Sequence, residues 1–262
     1  MAKLKMTAAV VDQKQLADGI FDMRIKAPQI AEQAVPGQFV SLYSKDGAKL
    51  LPRPISLCGI DKEAGELRLV YRVAGAGTRE FSALQAGDTI DVLGPLGNGF
   101  PLKPEKKAFL IGGGIGVPPM LELAKALSRE NGGGDKVQAV LGYRDSAMFL
   151  KDEFEACGSV YVATEDGSAG TKGNVLDAVR ENGLEADVIY ACGPTPMLRA
   201  LKAYAAENGI ECWLSLEEKM ACGVGACLAC VCQSTETDDH SHVHNKRICK
   251  DGPVFLADDI EL

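Results

Sequence analysis

The chain has 262 residues and a mass of 27.8 kDa, which suits two modest domains because single domains usually hold ~100–200 residues. Hydrophobic residues make up 46% and charged residues 24%, and this globular composition excludes a largely disordered protein. The formal net charge of −8 argues against nucleic-acid binding, since nucleic-acid-binding surfaces carry positive charge toward the phosphates.

The sequence shows no sign of membrane insertion or export. No apolar segment approaches the ~20 residues that a membrane helix needs. The amino-terminal segment reaches Asp12 and Lys14 too soon to contain the hydrophobic region of a secretory signal. We therefore expect a cytoplasmic protein that does not bind membranes.

Short apolar and β-branched segments, separated by turn-forming residues, fill the amino-terminal part of the chain. Six strands are predicted, over residues 8–11, 20–25, 38–44, 55–60, 67–73 and 89–93. Because no long helical segment lies between them, we predict a small antiparallel β-barrel over residues 1–103.

After Pro104, strand-like and helix-like segments alternate. Strands are predicted over residues 108–111, 137–142, 160–163 and 188–192, and helices over residues 120–129, 149–157, 175–182 and 196–208. Such alternation is typical of a parallel sheet covered by helices, which binds nucleotides at the carboxyl ends of its strands. We therefore predict a nucleotide-binding α/β domain over residues 104–212.

Nine cysteines are present, and five of them lie in residues 213–262. This segment is too short to bury a core of its own, so we expect a metal centre to organise it. Cys222, Cys227 and Cys230 are separated by four and two residues, and Cys249 follows 19 positions later, which is the spacing of plant-type 2Fe–2S sites. Glycines between the first two cysteines let the backbone direct N–H groups at sulfur.

Other metal sites compete with this interpretation. Cys227 and Cys230 alone fit a structural zinc site, although zinc sites more often pair two such units or add two spaced histidines. A Rieske centre needs two histidine ligands, and no Cys-x-His pair occurs. Cys232 is an alternative to Cys230, which we assign because its spacing completes the triplet. The nearby histidines are predicted to be solvated surface residues: His240, His242 and His244.

Two glycine turns that follow predicted strands are candidates for binding a nicotinamide nucleotide. The glycines of the first turn are Gly112, Gly113, Gly114 and Gly116. Backbone N–H groups at such a strand-to-helix turn favour a pyrophosphate, although the same turn also occurs without a ligand. The second turn consists of Cys192, Gly193 and Pro194, and Cys192 is either a core residue or a neighbour of the nicotinamide ring.

The barrel segment carries features that suit a second nucleotide. Arg53 offers a planar donor fork for a phosphate, and Ser56 offers a hydroxyl for the edge of a ring. A glycine turn over residues 75–78 suits another phosphate contact. Each of these features also occurs in ordinary β-hairpins.

The order of these motifs resembles that of ferredoxin reductase-like flavoproteins. The segments that carry the resemblance are residues 36–39, 53–56, 75–78, 112–119 and 192–197. With the four cysteines added, nearly the whole chain resembles the electron-transfer subunits of NAD-linked (class 1B) dihydroorotate dehydrogenases. The resemblance implies an FAD-binding β-barrel, an NAD-binding parallel-sheet domain and a small C-terminal 2Fe–2S module over residues 213–262.

The same resemblance implies roles for particular residues. It implies that FAD contacts Arg53, Pro54, Ile55, Ser56, Val70, Tyr71, Arg72, Gly77 and Thr78. It also implies that the two glycine turns flank the nicotinamide nucleotide and that the cluster is bound by Cys222, Cys227, Cys230 and Cys249.

The resemblance further implies a partner chain that contains FMN and oxidises dihydroorotate in pyrimidine biosynthesis, in a heterotetramer with two copies of each chain. Electrons would pass through the cluster and FAD to NAD⁺. We expect no activity on dihydroorotate from this chain alone, because a substrate barrel by itself needs ~250 residues. The alternatives are a reductase subunit of a hydrogenase, sulfite reductase or ferredoxin–NADP system, and a zinc-organised interaction module without enzymatic activity.

Overall fold

A computed structural model describes residues 3–237 and 243–262 of the chain. Six antiparallel strands form its amino-terminal part: β1 (Leu4–Ala17), β2 (Ile20–Lys26), β3 (Phe39–Tyr43), β4 (Arg53–Asp61), β5 (Glu66–Arg72) and β6 (Thr89–Leu96). They close into a barrel in the order β1-β2-β5-β4-β3-β6, which confirms the predicted barrel. The sequence pattern does not predict two short helices, α1 (Pro28–Gln33) and α2 (Ala76–Phe81).

Side chains of strand β3 alternate between the inside and the outside of the barrel. Val40 and Leu42 are fully buried in the barrel core. Phe39, on the opposite face of the strand, packs into the core of the α/β part of the protein. Because side chains on a strand alternate, Ser41 and Tyr43 share that outer face with Phe39. One face of β3 therefore contacts the rest of the protein.

The following part is a mainly parallel sheet covered by helices. Its strands are β7 (Ala108–Gly113), β8 (Val137–Tyr143), β9 (Ser159–Thr164), β10 (Thr171–Lys172), β11 (Val188–Cys192) and β12 (Glu211–Ser215), and its helices are α3 (Val117–Glu130), α4 (Lys151–Glu155), α5 (Val175–Glu181) and α6 (Thr195–Asn208). The strand order is β10-β9-β8-β7-β11-β12, and β7 and β11 are parallel neighbours. The two predicted glycine turns therefore lie side by side at the carboxyl edge of the sheet.

The C-terminal segment is built onto this sheet. Strands β13 (Val231–Gln233) and β14 (Asn245–Arg247) form a separate two-stranded ribbon, whereas β15 (Val254–Leu256) pairs antiparallel with β12. Phe255 and Ile260 share one core with Leu214 of β12. The segment that begins at residue 213 thus starts inside a strand of the α/β sheet and buries its apolar residues there.

An ion pair and a hydrogen bond to a buried carboxylate join the barrel to the α/β part. Arg68 of β5 bonds Asp22 of β2, with 2.8 Å between Nη2 and Oδ2, and Glu153 of α4, with 2.7 Å between Nη1 and Oε2. The buried carboxylate of Glu122 in α3 accepts a 3.1 Å hydrogen bond from the backbone N–H of Ile60. The Arg68–Glu153 pair links the barrel to α4, and the buried Glu122 carboxylate would be costly to leave without the Ile60 N–H, so both contacts favour a defined arrangement of the two parts.

The helices of this fold are short. In the part of the chain that the structure describes, none has both the length and the apolar character that crossing a lipid bilayer requires.

Candidate functional site: a flavin-sized cavity beside a cysteine loop

A cavity of about 500 Å³ lies between the barrel and the carboxyl edge of the parallel sheet. Its barrel side is formed by Phe39, Arg53, Pro54, Ile55, Ser56, Val70, Tyr71, Arg72, Ala74 and Thr78, and its sheet side by Ile115, Gly116, Cys192, Ser215 and residues 216–220. Except for Gly77, all the residues predicted to contact FAD line this cavity. Two larger grooves, of about 860 Å³ and 690 Å³, contain none of the predicted site residues.

Arg53 places a permanent positive charge at one end of the cavity. Its guanidinium lies against Gly77, where an added Cβ would come within 2.6 Å of Nε. The Thr78 hydroxyl accepts hydrogen bonds from the backbone N–H groups of Ala74, at 2.9 Å, and Gly75, at 3.2 Å. These bonds fix the glycine turn beside the guanidinium. A planar cation at a glycine turn is suited to a phosphate group of a nucleotide.

Tyr71 contributes backbone rather than its side chain to the cavity. Its ring lies in the barrel core, and its hydroxyl donates a 2.8 Å hydrogen bond to Oε1 of Gln13. Burial raises the pKa of Tyr71. Its neighbours Val70 and Arg72 lie on the other face of β5, since alternate residues of a strand face opposite ways.

The two glycine turns at the sheet edge touch each other. A Cβ on Gly116 would overlap the backbone carbonyl of Cys192, and a Cβ on Gly113 would come within 2.7 Å of Sδ of Met197. The first turn is a 3-10 helix over Gly114–Gly116 that continues directly into α3. Helix α3 therefore begins at Val117, earlier than the pattern predicts. The structure brings the two predicted turns together as one surface.

Cys192 faces the cavity at the end of β11. Burial, opposed only in part by a contact with Ser215, raises the pKa of its thiol to about 12. The thiol is therefore neutral at physiological pH and is a packing group rather than a nucleophile. Such a small apolar side chain leaves room for a flat ring beside it.

The four predicted ligand cysteines approach one another as two pairs. The thiol of Cys222 contacts that of Cys227, and the thiol of Cys230 contacts that of Cys249. Among the described residues, no three histidine, cysteine or acidic side chains are grouped so that they could hold one metal ion. Two thiol pairs suit a binuclear cluster, in which each iron takes two cysteines, better than a single zinc ion.

Backbone N–H groups surround two of these sulfur atoms. Sγ of Cys222 accepts from Val224, at 3.4 Å, and from Ala226, at 3.3 Å. Sγ of Cys249 accepts from Gly225 at 3.1 Å. Burial would raise the pKa of Cys222, but the backbone donors outweigh burial and lower it to about 6. N–H groups directed at thiolates are the environment that an anionic iron–sulfur cluster requires.

The cysteine loop, residues 222–230, lies against the outer face of β3. A Cβ on Gly223 would come within 3.0 Å of Oγ of Ser41 and 3.2 Å of Cδ1 of Leu96. The Ser41 hydroxyl is completely buried and has no hydrogen-bond partner in the described part of the chain. Burial, then the charges of Asp91 and Cys222, raise the pKa of Tyr43 on the same strand face. The thiol pairs, the backbone donors and this orphaned hydroxyl all fit an iron–sulfur cluster.

Three family models match the chain in the order of these sites. An oxidoreductase FAD-binding domain matches residues 7–100, and an oxidoreductase NAD-binding domain matches residues 110–203. The iron–sulfur cluster binding domain of dihydroorotate dehydrogenase B matches residues 217–261. The chain thus has the FAD-binding, NAD-binding and cluster-binding regions that the sequence predicts.

Curated relatives match over nearly the full length. The electron transfer subunit of dihydroorotate dehydrogenase B (NAD(+)) from Geobacillus kaustophilus is 46% identical over 258 residues, which cover 97% of each chain. The subunit of that name from Listeria monocytogenes is 45% identical over 263 residues, covering 99% of this chain and 100% of the relative. This chain belongs to the family of dihydroorotate dehydrogenase B electron transfer subunits.

Solved structures share the fold of this electron transfer subunit family. A chain of the NADH-dependent reduced ferredoxin-NADP oxidoreductase, studied for flavin-based electron bifurcation, is 32% identical with a TM-score of 0.86, and the match covers 97% of this chain and 89% of that one. The ferredoxin reductase of carbazole 1,9a-dioxygenase matches with a TM-score of 0.69 at 22% identity, covering 80% of this chain and 67% of that one. These structures show the fold, whereas the domain models and the curated relatives identify an oxidoreductase and not a non-enzymatic zinc module.

Cys232 lies outside both thiol pairs. Its thiol donates a 3.5 Å hydrogen bond to the backbone carbonyl of Lys246, across the ribbon formed by β13 and β14. His244 lies 3.2 Å from the Thr237 hydroxyl, measured from Nε2 to Oγ1. The other two histidines, His240 and His242, lie outside the described residues.

Several cavity residues are not predicted from the sequence. Ser215 lies at the end of β12, and residues 216–220 follow it along the cavity. Phe39 belongs to a segment that carries the family resemblance, but nothing in the sequence assigns it to the cavity. The sequence pattern predicts no strand at β12. Such a strand would place Ser215 and the residues after it at the site, because the carboxyl ends of neighbouring parallel strands meet at the same edge of the sheet.

Proposed function

We propose that this chain carries electrons from an FMN-containing partner that oxidises dihydroorotate, through a 2Fe–2S cluster and FAD, to NAD⁺ in cytoplasmic pyrimidine biosynthesis. The observation that supports it best is the position of strand β3. Phe39 lines the cavity, and Ser41, on the same strand face, contacts the cysteine loop. At a rise of about 3.3 Å per residue, the two positions are only about 7 Å apart. A short separation between the cavity and the cysteine loop favours electron exchange between the FAD and the cluster that they would bind.

The cavity residues have distinct roles in this proposal. A bound flavin exchanges a hydride with nicotinamide and single electrons with a cluster, so it belongs between the two. Arg53 binds a phosphate of FAD, and Ser56 bonds the edge of the flavin ring. The neutral Cys192 packs beside the nicotinamide without reacting. The other FAD contacts we propose are Pro54, Ile55, Val70, Tyr71 through its backbone, Arg72, Gly77 and Thr78.

We infer three functional regions that follow this assignment. Residues 1–103 bind FAD, residues 104–212 bind NAD and residues 213–262 bind the cluster through the four paired cysteines. The boundary at residue 213 separates two functions but not two folding units, because residue 213 lies within β12. Gly112, Gly113, Gly114 and Gly116 with Gly193 and Pro194 form the nicotinamide nucleotide surface.

An exposed apolar edge supports docking of a partner next to the cluster. Cys227 is exposed, Leu228 beside it is 58% exposed and Val231 is 39% exposed. Large apolar side chains around a redox ligand are unfavourable in water and favour a covered interface. We propose that the FMN-containing chain covers this edge, in a heterotetramer with two copies of each chain.

A ferredoxin–NADP type reductase subunit is the second candidate. Its support is the similarity, at 32% identity, to a chain of the NADH-dependent reduced ferredoxin-NADP oxidoreductase. Co-purification separates the two candidates, because each predicts a different partner chain.

Anaerobic purification of the isolated chain tests the first proposal. We expect flavin absorption bands, two irons per chain and oxidation of NADH by artificial electron acceptors, but no oxidation of dihydroorotate. Folded material without iron, or an isolated chain that oxidises dihydroorotate, would contradict the proposal.

A further inference from the structure

We propose that the Ser41 hydroxyl donates a hydrogen bond to a bridging sulfide of the bound cluster and thereby raises its reduction potential. The inference rests on the proposed function, because it requires the cluster. It adds a residue of the FAD-binding barrel to the surroundings of a cluster whose four ligands all come from the C-terminal segment.

The first observation is an unsatisfied polar atom. Ser41 is completely buried, and its Oγ lacks a hydrogen-bond partner among the described residues. Leaving a buried hydroxyl unpaired destabilises a protein, and native structures contain few such groups. An orphaned donor that also faces a ligand site indicates a ligand that accepts its hydrogen bond when bound.

The second observation is the direction in which this hydroxyl faces. Ser41 Oγ lies 3.0 Å from where a Cβ of Gly223 would stand, so it faces the backbone next to Cys222. Gly223 has a φ of +68°, and its missing side chain leaves the hydroxyl directly against the loop. The orphaned donor is therefore in contact with the loop that supplies three of the four cysteines.

The third observation identifies the acceptor. No sulfur atom of the described chain, Cys222 included, accepts from Ser41. The thiol of Cys222 already accepts from the backbone N–H groups of Val224 and Ala226. A sulfide of the bound cluster would be the remaining acceptor near this donor. A neutral O–H donor adds a bond to sulfur without adding charge.

The effect on the potential follows from electrostatics. Reduction adds a negative charge to the cluster, so a donor that points at sulfur stabilises the reduced state more than the oxidised state. Removing the hydroxyl should make reduction less favourable. A tenfold change in the one-electron equilibrium corresponds to about 59 mV, which is the size of shift we expect.

The test measures the cluster potential of the purified FAD- and cluster-loaded chain by redox titration followed by electron paramagnetic resonance. Ser41→Ala should lower the potential by about 59 mV, a tenfold change. Ser44→Ala is the matched control, since the Ser44 hydroxyl is also buried without a partner among the described residues and Ser44 lies beyond the end of β3. We expect it to leave the potential unchanged.

Two further variants keep the test decisive if the Ser41→Ala variant binds little of the cluster. Ser41→Thr and Ser41→Val have the same shape and differ only in the hydroxyl, so the threonine variant should have the higher potential. Resonance Raman spectra in D₂O should show a solvent-sensitive iron–sulfide band that the alanine and valine variants lose. Equal potentials and equal D₂O shifts with and without the hydroxyl would overturn the inference. Wild-type protein that binds no cluster would instead contradict the proposed function.

Discussion

Single residues determine whether the cysteine loop can surround a ligand. Gly223 and Gly225 have φ values of +68° and +83°, which side chains other than glycine rarely adopt. Gly225 uses this conformation to direct its N–H at Cys249. The loop therefore depends on glycine for its backbone path and on cysteine for its chemistry.

Exchanging cysteines for serine tests the ligand assignment. Cys230→Ser should abolish cluster binding, because Cys230 is buried against Cys249. Cys232→Ser is the matched control and should retain the full iron content, because its thiol bonds only the carbonyl of Lys246 among the contacts described. Iron analysis and visible circular dichroism measure both. Loss of iron in the Cys232 variant with retention in the Cys230 variant would reverse the assignment.

One carboxylate links stability to pH. Burial would raise the pKa of Glu211, but hydrogen bonds from Lys103, Lys106 and Trp213 outweigh burial and lower it to about 2. A carboxylate whose pKa falls on folding stabilises the protein above its unfolded pKa of about 4.3, and this stabilisation is lost as the pH falls toward the folded value.

Glu211→Gln should therefore reduce the free energy of unfolding by about 1 kcal/mol at pH 7. The difference between the variant and the wild-type protein should narrow below about pH 4. Denaturant unfolding across pH measures the difference. Glu207→Gln, on the exposed side of α6, should change stability little at any pH. A Glu211 effect that stays constant between pH 7 and pH 3 would contradict the assigned cause.

At this scale the sequence assigns candidate ligands, which stay a prediction, but it does not predict side-chain orientations. The spacing of the cysteines favours Cys230 over Cys232 as a ligand, since each iron–sulfur family has a characteristic interval. The inward orientation of Tyr71 depends on the register of β5 within the barrel, which the pattern does not fix. Ser41 carries no signal, because an unpaired hydroxyl is recognised only when its surroundings are known.

Among the secondary-structure elements, the contact between the two glycine turns is the most sensitive to substitution. Gly116→Ala should raise the Kd for NADH about tenfold or more, because the added Cβ would push the Cys192 turn away from α3. Titration of the flavin absorbance with NADH measures this binding. Gly47→Ala is the control, since a Cβ there would meet no atom within 4 Å. Unchanged NADH binding in the Gly116 variant would contradict the role of the turn pair.

The sequence predicts long, regular elements and misses short ones. Strand β11 occupies Val188–Cys192, the range that the pattern predicts, because it is a continuous apolar run. Helices α1 and α2 have only six residues each, too few to show helical periodicity. Strand β12 is missed because its residues lie where the cysteine-rich segment is expected to begin.

For the whole molecule, the exposed apolar edge predicts how the partner binds. Leu228→Asp should weaken binding of the FMN-containing chain at least about tenfold while leaving the cluster spectrum unchanged. Leu228 has a φ of +58°, and aspartate tolerates this conformation, so the backbone should not move. Val11→Asp, at an exposed apolar position on β1, is the control. Equal partner affinity in the two variants, measured by analytical ultracentrifugation, would exclude this edge from the interface.

The arrangement of the regions is only partly readable from the sequence. Motif order and family resemblance give an FAD-binding barrel followed by NAD-binding and cluster-binding regions. They do not predict that β15 returns to pair with β12, which joins the C-terminal segment to the α/β sheet. Nor do they predict that one face of β3 contacts both the cavity and the cysteine loop, because that contact joins residues far apart in the chain.

The central claim is that electrons reach NAD⁺ through this chain by way of the cluster. It is tested most directly by anaerobic co-expression with the FMN-containing chain and an assay of dihydroorotate-dependent NAD⁺ reduction. The wild-type complex should reduce NAD⁺, whereas a complex with Cys230→Ser should still oxidise dihydroorotate with an artificial acceptor but leave NAD⁺ unreduced. NAD⁺ reduction at the wild-type rate by the cluster-free complex would contradict the account.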